Sequence, residues 1–327
     1  MKKTLSKILL FLCFLAPLHS DKQTITKVFG SSPPMNYLLY AINPDKMIGL
    51  NFDAKNINNS ADAKLLKKSF LDLPVIGSFH GGGSSINIET LAKYNPDLIL
   101  IWEDDFIADV VKEQLKKLNI NSLTIPFREI ESMPKSIKIA ADAIGEHKRG
   151  EELSHYADER IAYIKSITKQ NKPISYYYAE GNDGLATECD NSFHTVAIDF
   201  AGGKNVHKCT QSNVQGLERI SFEKLLEYNP EFIIAQNKIT YDAIMKNRMF
   251  KHLDAIKNNR VILIPNEPFN WIDRPPSFMR LMGMELIALR FYPHYYKDDI
   301  VAQIKKFYKL FLDVELSDKD IKNIKGI

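Results

Sequence analysis

Trp271 and Arg274 stand in the run Asn270-Trp271-Ile272-Asp273-Arg274-Pro275-Pro276-Ser277 and form the sharpest chemical pair in the chain. An indole face beside a guanidinium suits a planar or anionic ligand, with arginine pairing acidic oxygens and tryptophan covering apolar surface. The competing reading is a local ion pair between Arg274 and Asp273. His80 precedes Gly81-Gly82-Gly83. Glycines carry no side chain, so the backbone at Gly82 and Gly83 can approach a ligand oxygen. His80 can then complete a metal's coordination, donate to a carboxylate, or simply face solvent. Tyr176 and Tyr178 flank Tyr177 in an aromatic run, and strand alternation puts the first two on one face, with at least one of them expected in the core. Trp102 and Gln215 complete the expected ligand contacts.

Catalysis is the class these residues exclude. Gly-x-Ser-x-Gly, His-Glu-x-x-His and Gly-x-x-x-x-Gly-Lys are absent, so the chain reads as a binder and not an enzyme, a secreted hydrolase being the alternative from another class. A bare zinc or manganese ion would need several histidines and carboxylates converging. Only His80 and His194 fall near the expected ligand loops.

The elements that must position these groups follow from a pattern stated twice. Asn-Ile-Glu-Thr-Leu-Ala-Lys-Tyr-Asn-Pro-Asp-Leu-Ile-Leu at 87–100 returns as Ser-Phe-Glu-Lys-Leu-Leu-Glu-Tyr-Asn-Pro-Glu-Phe-Ile-Ile at 221–234. In each copy a capping residue opens a short amphipathic helix. Tyr-Asn-Pro ends it, because a residue before proline avoids helical geometry, and an apolar run follows as a buried strand. One distant repetition implies two facing α/β lobes instead of a solenoid, with a ligand cleft between them. Residues 146–168 lack proline, hold Gly150 alone among glycines, and space Leu153, Tyr156, Ile161, Ile164 and Ile167 helically. That predicts one long, stiff connecting helix whose Lys148, Arg149, Glu152, Asp158 and Glu159 form a solvated face.

The resulting division is a leader at 1–20, a first lobe at 21–145, the connecting helix at 146–170 and a second lobe at 171–327. Predicted strands include 25–29, 47–50 and 122–125 in the first lobe and 174–178 and 260–264 in the second. Helices are predicted at 107–118, 134–144, 277–292 and 298–312, the last closing the fold. Ligands of open α/β sheets meet loops beyond the carboxyl ends of strands. This places 78–85, Trp102, Tyr176, Tyr178, Gln215 and 270–274 at the cleft.

Lys2, Lys3 and Lys7 precede an apolar run at 8–16, the arrangement of a secretory signal peptide. The run is too short to span a bilayer, which needs roughly 20 residues. Cys13 follows Leu12 inside that run, which argues against a lipid anchor and for a periplasmic chain. The three lysines account for the whole formal charge of +3. The remainder is balanced, so nothing favours nucleic acid or an anionic membrane as partner. Cys189 and Cys209 remain, and in an oxidising compartment they are expected to form one disulfide, a thiolate metal site being the alternative.

The two glutamate-bearing copies, Ala201-Gly202-Gly203-Lys204-Asn205-Val206, the run at 271–277 and the single connecting helix together resemble the class III periplasmic substrate-binding proteins of metal-chelate ABC importers. The resemblance covers nearly all of the mature chain. It implies an α/β fold of two Rossmann-like lobes with central parallel sheets joined by one rigid helix. It also implies a monomer with no covalent cofactor and a bound metal chelate, Fe(III) foremost and Ni(II) or Co as alternatives. The ligand expected first is a ferric siderophore-type complex, with nickel-histidine, haem, cobalamin or molybdate as other readings. The partners implied are an inner-membrane permease and its ATPase, one glutamate per lobe docking onto permease arginines. Glu89 and Glu223 match those positions, where two carboxylates at equivalent helix starts can report lobe spacing. The plainer reading is that each is favoured by the helix dipole alone.

Overall fold

The computed structural model describes residues 24–53, 61–79, 86, 88–103, 107–212 and 215–327. The leader and the expected contacts His80, Gly82 and Gly83 lie outside the described residues.

In the first lobe β1 (Val28–Gly30), β2 (Leu98–Trp102) and β3 (Ser122–Ile125) form a parallel sheet in that order, Phe29 opposite Ile99 and Leu100 opposite Leu123. Parallel bridges Val28 to Met47 and Leu50 to Val75 widen it. The expected strand at 47–50 is therefore reduced to single bridges at the sheet edge. After the connecting helix, β4 (Ile174–Ala179) pairs in parallel with β6 (Gly203–Asn205) on one side and β8 (Phe232–Ala235) on the other, and β8 with β9 (Val261–Leu263). The short β5 (Ala186–Thr187) and β7 (Glu218–Arg219) pair antiparallel over this sheet's carboxyl end. Helices cover both faces, which is why β2 and β8 read as unbroken apolar runs.

The repeat copies fold alike. Helices Ile88–Lys93 and Phe222–Tyr228 each end near an asparagine in the left-handed region, Asn95 at φ 49° and Asn229 at φ 35°. Proline denies that residue the right-handed helix, and asparagine tolerates the left-handed alternative. Ser221 caps the second copy, its hydroxyl accepting from the Lys224 N–H at 3.2 Å.

The connecting helix spans His147–Thr168. Gly150 lets it lie against helix Met133–Ala143, since a Cβ there would sit 2.5 Å from the Ala141 Cβ. The expectation that Arg149 is merely solvated is corrected. Its guanidinium donates to the Ala41 carbonyl at 3.2 Å and to the Leu310 carbonyl, tying the first lobe to helix Ile300–Leu312. The buried Arg160 binds Glu285 at 2.9 Å and Asp298 at 2.8 Å. One hydrophobic core consequently runs from Val28 through the connecting helix to Ile324, taking in both lobes. The fold does not close at 312: Ser317 and Asp320 form a capping box that starts a further helix, Asp318–Asn323.

Candidate functional site

The cleft edge of the second lobe is built from loops that leave β4, β8 and β9 at their carboxyl ends. Asn270 organises the loop after β9. Its side-chain oxygen accepts from the N–H groups of Ile272 and Asp273 at 2.8 and 2.9 Å, and its amide donates to the Gln236 carbonyl at 2.9 Å. Gly283 lets helix Arg280–Phe291 close onto this loop, because a Cβ there would lie 2.1 Å from the Trp271 carbonyl oxygen.

This frame presents Arg274, whose backbone holds φ 60°. Arg274 does not pair with Asp273. Its Nε donates to Glu180 Oε1 at 2.5 Å, and its Nη2 donates to Glu188 Oε1, to the Gln215 carbonyl at 2.9 Å and to Glu180 Oε2 at 3.4 Å. Both carboxylates are fully buried. Gln236 donates to Glu180 at 2.9 Å, and Ser192 and the Leu217 N–H donate to Glu188 at 2.7 and 3.1 Å. Burial, then the neighbouring Glu180, pushes the Glu188 carboxyl up to about 7. Gly216 at φ 65° is what lets the 215–217 segment reach this carboxylate, since a Cβ would stand 2.1 Å from Glu188 Oε2. The disulfide predicted for Cys189 and Cys209 is formed, with a Cα separation of 5.1 Å, immediately after Glu188. Nη1 of Arg274 makes no hydrogen bond among the described residues, and the side chain is 23% exposed.

Asp273 turns the other way. It holds His194 through Nδ1 and lies 3.7 Å from Arg280. The buried Arg280 donates to the carbonyls of Arg128 at 2.7 Å and Phe193 at 3.0 Å, which fastens the two lobes at the cleft floor. There Trp102 meets the Phe193 ring edge-on at 5.6 Å. Tyr37 of the first lobe stacks on Phe269 of the second at 3.8 Å.

Four of the expected ligand contacts are buried in this structure. Trp271 has no exposed surface, and its indole N–H donates to the Glu267 carbonyl at 3.2 Å. Tyr176 is equally buried and donates to Asp199 at 2.7 Å, while Tyr178 is buried with its hydroxyl unpartnered. Trp102 is 2% exposed and serves as floor packing. Gln215 is exposed and reaches Arg274 through its carbonyl. Glu180 and Glu188 escaped the sequence reading, although Glu180 directly follows β4, where cleft residues are expected. Glu89 and Glu223 lie exposed in the first turns of their helices. The Glu223 carboxyl is lowered by its own N–H and then by the Ser221 hydroxyl. Among the described residues no cluster of three histidine, cysteine or acidic side chains is arranged to hold a metal ion, and no helix is long and apolar enough to cross a membrane.

The periplasmic binding protein family model matches residues 54–268. An ABC transporter solute binding protein from Sulfurospirillum deleyianum is 35% identical and superposes with a TM-score of 0.88, covering 93% of this chain and 95% of that one. The molybdate-binding protein MolA of Haemophilus influenzae is 22% identical over 257 residues, 71% of each chain. The high-affinity heme uptake system protein IsdE of Staphylococcus aureus is 26% identical over 229 residues, 66% of this chain and 75% of that protein.

Proposed function

The chain belongs to the periplasmic binding protein family, and from that premise we propose that it captures an anionic metal chelate, foremost a ferric siderophore-type complex, in the interlobe cleft. It is a transport binding protein and not an enzyme. The observation that carries the reading is Arg274: a cation locked in place by two buried carboxylates, with Nη1 left for a ligand. A guanidinium oriented in advance loses little entropy on meeting acidic oxygens, so it selects for charge at a fixed position. Delivery then runs through an inner-membrane ABC permease, onto which Glu89 and Glu223 dock. A free oxyanion is the second reading. It is favoured by the likeness to a molybdate-binding protein and by a site that offers a fixed arginine without a metal-ligand cluster among the described residues.

The test is calorimetric titration of the mature protein with ferric catecholate and hydroxamate chelates, haem, cobalamin, nickel-histidine, nickel ion and molybdate. One saturable ferric-chelate isotherm, lost in Arg274→Ala, is the expected result. Response to molybdate alone moves the assignment to the second reading, response to haem alone replaces the ferric siderophore by a ligand whose propionates Arg274 can meet, and response to nickel ion alone refutes an anion held by Arg274.

A further inference from the structure

Ser31 and Ser32 follow β1 directly and open the ten-residue helix Pro33–Ile42 on the cleft side of the first sheet. Three of their four main-chain polar groups are hydrogen-bonded. The Ser31 N–H donates to the Leu100 carbonyl at 2.8 Å, the Ser31 carbonyl accepts from the Phe79 N–H at 2.9 Å, and the Ser32 carbonyl accepts from Met35 and Asn36 at 3.0 and 3.1 Å. Asn36 and Asn51 brace the preceding Gly30, accepting from its N–H at 2.9 Å and donating to its carbonyl at 3.0 Å. The two hydroxyls and the Ser32 N–H are unused among the described residues. Ser31 is 1% exposed, Ser32 is fully buried, and neither Oγ has a hydrogen-bond partner among the described residues.

Ser32 occupies the helix-cap position and yet makes no side-chain cap bond. The reason is local. Pro33 and Pro34 have no N–H to offer, and the Met35 N–H is taken by the Ser32 carbonyl. Those prolines also strip the helix start of two donors that an anion would otherwise meet, leaving the hydroxyls and the Ser32 N–H as the donors beside the positive end of the dipole. Two buried, unpartnered hydroxyls on consecutive residues are costly, and such groups in a native protein call for a partner. One helical turn on, Tyr37 stacks on Phe269 of the loop that carries Arg274, so the helix start and that loop face each other. A cavity of about 60 Å³ lined in part by Pro33, Asn36, Tyr37 and Asn51 borders the same helix start.

We propose that Ser31 and Ser32 are the first-lobe half of the ligand site, donating both hydroxyls to the oxygen atoms of an anionic ligand whose charge Arg274 meets from the second lobe. The inference rests on the reading of the protein as a binder of anions in this cleft. It adds that the ligand presents deprotonated oxygens to the first lobe, as a free tetrahedral oxyanion and the iron-bound catecholate oxygens of a ferric catecholate both do.

The test uses the mature protein, Ser31→Ala, Ser32→Ala and the double variant, titrated calorimetrically with molybdate and, separately, a ferric tris-catecholate, with the ligand-free melting temperature measured alongside. Each single change is expected to weaken binding about tenfold, the worth of a charge-assisted hydrogen bond, and the double change more. The ligand-free melting temperature should hold or rise, because alanine removes an unpartnered buried hydroxyl. The titrant that the wild type binds identifies the source of the oxygens. Unchanged affinity in the double variant overturns the serine assignment and leaves the anion reading standing. A lowered melting temperature with unchanged affinity does the same by showing a structural role. Failure of the wild type to bind either anion overturns the anion reading and the serine assignment with it.

Discussion

At Arg274 one guanidinium meets two buried carboxylates, so the clamp carries surplus negative charge whenever both are ionised. The structure relieves this at Glu188, whose carboxyl rises from 4.5 to about 7. Between those values the folded chain holds a proton that the unfolded chain has released, so stability falls as pH rises from about 4.5 to about 7. Glu188→Gln should flatten that part of a melting-temperature profile while keeping the Ser192 and Leu217 contacts; an unaltered slope would place the titration elsewhere, with Asp199, raised to about 6 by burial, the next group to test. An anion arriving on Nη1 raises the Glu188 proton affinity further, so affinity should increase as pH drops from 8 to 6 in the wild type and much less in the glutamine variant. Trp271 behaves differently. Buried and bonded to the Glu267 carbonyl, it should cost about 3–5 kcal/mol of stability when changed to alanine, seen as a lower urea midpoint. Loss of affinity with the midpoint unmoved would restore it to the ligand surface. The charge and setting of Arg274 marked it in the sequence, whereas its partners Glu180 and Glu188 were not legible there. The full burial of Trp271, Tyr176 and Tyr178 was not legible either, because alternation says which residues share a face, and in a sheet covered on both faces neither one is solvent.

The elements were legible where a local rule decides them. Tyr-Asn-Pro ends both repeat helices, and an uninterrupted apolar spacing marks the connecting helix, found at His147–Thr168. The strand at 47–50 failed because its pairing is set by a distant edge, and helix Asp318–Asn323 was missed although Ser317 and Asp320 spell a capping box. Tertiary context alone joins β5 and β7 above β4, and that small sheet, with the disulfide, is what holds Glu188 beneath Arg274. Asn205 contributes by donating to the Glu188 carbonyl at 2.9 Å. The Cys189–Cys209 bond therefore belongs to the site as much as to the fold. Opening it in a Cys189→Ser, Cys209→Ser variant should cost about 3 kcal/mol and also loosen the clamp, lowering affinity for the anionic ligand at a temperature where the variant remains folded. A stability loss with affinity intact would confine the disulfide to the fold.

At the scale of the whole molecule the two lobes share one core, and Arg160, Arg149 and Arg280 each bridge segments that a loose hinge would leave apart. These ties argue against wide opening of the lobes and for a spacing held by the connecting helix. That rigidity gives Glu89 and Glu223 their value. Exposed at equivalent helix starts, one on each lobe, they present two anionic points whose separation the core maintains. A permease with two fixed cationic sockets would read this spacing, and a small change in it on ligand binding would alter the fit of both at once. Reversing both charges in Glu89→Lys, Glu223→Lys should therefore leave solution affinity within about twofold and abolish ligand uptake in cells, with either single reversal intermediate. Both residues are exposed, and an unchanged melting temperature of the double variant would separate lost docking from misfolding. Normal uptake by the double variant would remove both glutamates from the docking surface, and lost affinity in solution would show that they act on the cleft instead of on the partner.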